Sequence, residues 1–133
     1  MSRPPVPLCV PARWGANRLP GKLLREWQGR PVLRAVLEQA EAAGLGPVCV
    51  LAGDERIEAA ARPWGWPVHR VEGDLRNGSE RIAEALRRGL LGACDVVINV
   101  QGDAVGVQPA LILAALDALL EDGEAGLGTV AIA

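Results

Sequence analysis

The sequence predicts an α/β protein on a mostly parallel five-stranded sheet. Short apolar runs alternate along it with stretches of helical periodicity, in the order β-α-β-α-β-α-β-α-β. The run PVCVLAG (47–53) is apolar throughout, as in strands covered on both faces. The helical stretches open on residues suited to a helix start: Pro31, Asp54, Asn77 or Ser79, and Pro109.

The elements follow in order. VPLCV (6–10) is the first strand, and a loop rich in Gly and Pro follows it. PVLRAVLEQAEAAG (31–44) has apolar residues at 32, 33, 36, 37 and 40, the spacing of one helix face, with Gly44 as its stop. The run at 47–53 is the second strand. DERIEAAARPW begins at an Asp54 cap and ends at Pro63, and PVHRV (67–71) is the third strand.

In NGSERIAEALRRGLLG (77–92), Ile82, Ala85, Leu86, Gly89 and Leu90 recur at i, i+3, i+4, i+7 and i+8. DVVINV (95–100) is the fourth strand and runs into QGD (101–103). PALILAALDALLE (109–121) is a helix apolar nearly all round, which demands cover and suggests a homo-oligomer formed through it. GTVAIA (128–133) is the fifth strand, so the whole of 1–133 reads as one domain.

Composition narrows the classes. With 14 Lys and Arg against 16 Asp and Glu, the chain has no global basic field, which argues against a general nucleic-acid binder. No uncharged apolar stretch is long enough to span a membrane, and the N-terminus has no signal-peptide pattern, so the expected location is cytoplasmic. Cys9, Cys49 and Cys94 are far apart in the sequence without a CxxC pair and read as small buried hydrophobes. His69, the sole histidine, builds no His-rich metal site.

Chemistry concentrates in PARWGANRLPGKLL (11–24), which gathers Arg13, Arg18 and Lys22 directly after a strand. The spacing from Gly15 to Gly21-Lys22 is too long for a P-loop, and Leu23 stands where a magnesium-binding hydroxyl belongs. The Rossmann glycine fingerprint is absent too. A turn at Pro20-Gly21 lets the chain double back and aim the three cations at one polyanion, with forked donors from Arg and a point charge from Lys. Parallel sheets bind ligands beyond the carboxyl ends of their strands, where this loop, Asp54 and QGD all fall. The first and fourth strands are neighbours where such sheets reverse direction, so the loop and Asp103 share one crevice. A carboxylate facing a phosphate clamp calls for a bridging cation, and magnesium takes one or two carboxylates with phosphate oxygens.

Together, PARWGANRLPGKLL (11–24), NGSERIAEAL (77–86) and NVQGD (99–103) resemble the motifs of cytidylyltransferases that activate acidic sugars, above all the CMP-Kdo synthetases (3-deoxy-manno-octulosonate cytidylyltransferases). The resemblance implies a Rossmann-like three-layer sandwich of the nucleotide-diphospho-sugar transferase type. It also implies transfer of CMP from CTP to Kdo, a 3-deoxy sugar acid, with loss of pyrophosphate. Arg13 and Lys22 would be the catalytic cations and, with Arg18, the triphosphate ligands. Gly78, Ser79 and Arg81 would frame the cytosine, Gln101 would lie near the sugar or ribose, and Asp103 would hold Mg2+.

Departures from the pattern are Ala16 for a serine, Asn77 for the first serine of SGTER, and Ala104-Val105 for Glu-Pro. The resemblance covers the N-terminal half of such enzymes, so a truncated domain is expected. The other half would carry a second carboxylate, most of the sugar pocket and a strand lying between the fourth and fifth. Two alternatives accompany this reading: a catalytically inactive nucleotide-binding remnant or subunit, and a transferase similar to CMP-sialic acid synthetase.

Overall fold

The computed structural model describes residues 6–15, 21–73, 75, 77–92 and 96–102, together with the backbone of 127–130. Arg18, Cys94, Asp103 and the helix expected at 109–121 lie outside the described residues. Seven strands and three α-helices are described: β1 (Leu8–Ala12), β2 (Glu26–Trp27), β3 (Arg30–Pro31), α1 (Val32–Ala42), β4 (Val48–Ala52), α2 (Glu55–Ala61), β5 (Val68–Arg70), α3 (Gly78–Arg87), β6 (Val97–Val100) and β7 (Leu127–Val130).

The main sheet has the order β5-β4-β1-β6-β7, and every pairing in it is parallel. The order in which the chain adds strands therefore reverses between β1 and β6, the junction expected from the sequence. The fifth strand pairs directly with the fourth, Val97 opposite Leu127 through Val100 opposite Val130.

Alternation along the strands sorts the core onto two faces. Leu8, Val10 and Ala12 face the larger cluster, which includes Leu33, Val36, Leu37 and Ala40 of α1 and Ile57 and Ala61 of α2. Cys9, Cys49 and Leu51 face the other side, against Ile82 and Ala85 of α3. Helices on both faces make three layers, and full burial of β4 explains its uninterrupted apolar sequence. Cys9 and Cys49, distant in sequence, are opposite one another in register with their sulfurs 3.6 Å apart, and both are buried. The bond with Cys9 lowers the Cys49 thiol pKa, and burial partly opposes that shift.

Three details differ from the sequence reading. The first strand is Leu8–Ala12 rather than 6–10, and includes Pro11. Leu8 bonds toward β4 and Pro7 toward β6, so the missing N–H of Pro11 falls on the β6 side, where the register ends at Cys9 opposite Asn99. Helix α3 stops at Arg87 instead of running to 92, because Gly89 takes φ 75°. Gly89 N–H then donates to Leu86 O and Leu90 N–H to Ala85 O, the paired bonds of a Schellman ending, and Leu86 is left 40% exposed. Finally, β2 and β3 form a small antiparallel hairpin around Gln28-Gly29, both at positive φ.

Candidate functional site

The site grows from the strand ends at the carboxyl edge of the sheet. After β1 the chain emerges as Arg13-Trp14-Gly15, and after β4 as Gly53-Asp54. Gly53 N–H donates to Ala12 O at 2.8 Å, which holds the two exits side by side. Asp54 then joins them through both oxygens. Its Oδ2 accepts the Trp14 N–H at 2.6 Å, and its Oδ1 caps α2 by accepting the Ile57 N–H at 2.9 Å. The cap expected at Asp54 is present, and the same carboxylate anchors the cationic loop.

The loop returns where Gly21 N–H donates to Trp14 O at 2.9 Å. A Cβ on Gly21 would lie 2.5 Å from the Trp14 ring, so only glycine fits this closure. Lys22–Leu24 form one turn of 3-10 helix, with Lys22 half-buried and Leu23 buried. A Cβ on Gly102 would come within 3.2 Å of both Leu23 Cδ1 and Pro11 O. Leu23 and Gly102 are the chain neighbours of Lys22 and Asp103, so the return of the loop and the exit of β6 lie against each other.

Arg13 and Arg81 converge on Gly53, where an added Cβ would meet Arg81 Cζ at 3.1 Å and Arg13 Cβ at 3.2 Å. Arg13 is exposed, whereas Arg81 is only 5% exposed and donates from Nη1 to Val71 O. Burial, then the charge of Arg13, holds the Arg81 pKa below its ordinary value, and Asp54 pulls in the opposite sense. The guanidinium expected near cytosine is thus seated in the interior, tying α3 to the end of β5.

Gly78 and Ser79 open α3 behind the Asn77 cap, whose side chain accepts the Glu80 N–H at 2.9 Å. Gly78 packs against the Pro11 ring, and Ser79 Oγ accepts from Asn99 Nδ2 at 3.4 Å. Asn99 is 2% exposed, and its Oδ1 has no hydrogen-bond partner among the described residues. Gln101 is exposed at the end of β6. Among the residues expected to act, Arg13 and Arg81 meet at Gly53, while Gly78 and Ser79 meet β1 and β6 at Pro11 and Asn99.

An open cleft of about 460 Å³ runs along the β1 and β4 exits, lined by Arg13, Trp14, Gly15, Gly53, Asp54, Glu55 and Arg56. Three residues of this region escaped the sequence reading: Trp14, Arg56 and Asn99. For Asn99 a signal existed, a lone amide inside the apolar run DVVINV. Arg56 is placed by the fold, because its position next to Trp14 depends on β1 and β4 being neighbours.

A doubly wound α/β sheet with an open cleft at its carboxyl edge defines the class, that of Rossmann-like folds. The chain belongs to the cytidylyltransferase family, whose profile matches residues 8–132. It is 40% identical over 126 residues to the 3-deoxy-manno-octulosonate cytidylyltransferase of Chromohalobacter salexigens, covering 95% of this chain and 49% of that protein. Against the enzyme of the same name from Xanthobacter autotrophicus it is 45% identical over 119 residues, covering 87% and 46%. A solved CMP:2-keto-3-deoxy-manno-octonic acid synthetase complexed with CTP superposes with a TM-score of 0.81 at 30% identity, covering 91% of this chain and 49% of that one. The chain spans about half the length of the curated relatives it matches.

Proposed function

We propose that this chain is the CTP-binding half of a cytidylyltransferase that transfers CMP from CTP to Kdo and releases pyrophosphate. The observation that carries the reading is the closed loop Arg13–Leu24, pinned to Asp54 at one end and packed against the exit of β6 at the other. In the transfer, the anomeric hydroxyl of the sugar attacks the α-phosphorus in line and the bond to the β-phosphate oxygen breaks. Arg13, Arg18 and Lys22 bind the triphosphate and offset the charge that develops on the departing pyrophosphate, an electrostatic role needing no covalent nucleophile. Gly78 and Ser79 border the base, and Gln101 faces the ribose or sugar. Arg81 supports that wall from within, through Val71.

Magnesium belongs to this reading through Asp103. Both Asp54 oxygens already accept backbone N–H groups, and no cluster of three or more possible ligands occurs among the described residues. Asp103, the acid of the family-like VQGD motif and outside the described residues, is the carboxylate this reading gives to the ion. One acid suits magnesium, which fills its remaining positions with phosphate oxygens and water. When bound, the ion supplies positive charge to the phosphates.

Calorimetric titration with CTP tests the clamp. Lys22→Ala is expected to abolish binding, and an unchanged affinity refutes the assignment. Pyrophosphate release with CTP, magnesium and Kdo then tests transfer. A second reading is nucleotide binding without transfer, which CTP affinity with no turnover would select. Replacing Kdo by a sialic acid in the same assay separates the sugar specificities. Self-association through 109–121, outside the described residues, completes the proposal; sedimentation as a monodisperse monomer would refute it.

A further inference from the structure

The cleft carries a cation that the loop motif does not include. Arg56 is exposed in the first turn of α2, with its guanidinium carbon 4.5 Å from the centroid of the Trp14 ring. Trp14 is itself fixed. Its N–H is held by Asp54, its carbonyl by Gly21 N–H, and its ring lies against the Gly21 backbone. An aromatic face attracts a guanidinium through its quadrupole without neutralising it. Arg56 forms no ion pair with any carboxylate among the described residues.

Arg13 lines the same cleft. The opposing charges there are unequal in effect. Asp54 is engaged by two backbone N–H groups, while exposed Glu55 works against an incoming anion. Two guanidinium groups, each with a planar fork of donors, match the oxygens of linked phosphates better than a single carboxylate.

We propose that Arg56, held over Trp14, forms with Arg13 a subsite for a polyphosphate chain, gripping phosphates beyond the one attached to the nucleoside. This rests on the nucleotide-binding reading above. The terminal phosphates of CTP and free pyrophosphate share the required chemistry.

The test is calorimetry on the full chain with three probes: CTP, CMP and inorganic pyrophosphate. Arg56→Gln is expected to weaken CTP and pyrophosphate about tenfold and to leave CMP within about twofold. Arg56→Lys should fall between, and Glu55→Gln should tighten both polyphosphates. Loss for CTP alone assigns the subsite to nucleotide-borne phosphates, and loss for pyrophosphate alone to the free product. Unchanged affinity for both polyphosphates overturns the proposal, as does an equal loss for CMP. Failure of the underlying reading looks different: Lys22→Ala would then bind CTP like the wild type, whatever Arg56→Gln does. Both 55 and 56 are exposed, and matching far-ultraviolet circular dichroism checks that the variants fold.

Discussion

Replacing Asp54 by Ala should release the cationic loop and the start of α2 in one step, because one carboxylate serves both. Loss of the Ile57 cap costs about 1 kcal/mol. Removing the acceptor 2.6 Å from Trp14 N leaves a part-buried N–H without a partner, which adds about 1–3 kcal/mol. The sum, about 2–4 kcal/mol, corresponds in a domain of this size to a fall of roughly 10 °C in Tm. Asp54→Asn retains one oxygen that can cap α2 but not two acceptors, so it should lose about half as much. Urea denaturation followed by circular dichroism and tryptophan fluorescence measures the stability, and CTP titration on the same samples measures the loop. The expected order is wild type above Asn above Ala in both. An Ala variant within about 0.5 kcal/mol of wild type would show that the carboxylate is not the anchor inferred from these distances.

Two further substitutions probe the β6 exit. Gly102→Ala forces a methyl to within 3.2 Å of Pro11 O and Leu23, and is expected to destabilise by about 1–3 kcal/mol while weakening CTP binding; a variant as stable as wild type would mean the loop does not pack there. Asn99→Leu removes a buried carbonyl that has no partner among the described residues and a long bond to Ser79, so stability should hold or rise by up to about 1 kcal/mol. CTP affinity should nevertheless drop as Ser79 loses its donor, and a loss of about 3 kcal/mol or more in stability would contradict this account.

The elements readable from sequence were those whose signal is local. Asp54 and Asn77 cap their helices because a short side chain two or three residues ahead of free N–H groups can reach them in any context. The apolar face of α1 was legible as well, since Leu33, Val36, Leu37 and Ala40 are buried at the spacing that predicted them. At the end of α3 periodicity misled. Leu86 and Gly89 continue the pattern on paper, but the left-handed turn at Gly89 closes the helix first. Pro11 misled in the other direction, because a strand tolerates proline only where the missing N–H has no ladder to join, and that depends on where β6 stops.

By itself the sequence determined the alternation of strands and helices, the family-like motifs, and the gathering of cations after the first strand. Those are properties of neighbours along the chain, set by side-chain period, cap chemistry and spacing. Tertiary structure alone decided that Asp54 anchors Trp14, that Arg81 turns inward to Val71 while Arg13 stays outside, and that Arg56 lies over an indole 42 residues away in the chain. The Asp54 and Arg56 contacts exist because β1 and β4 pair in parallel and bring their exits to one edge, and the Arg81 contact because β5 joins β4 beside them; no local preference encodes which strands become neighbours.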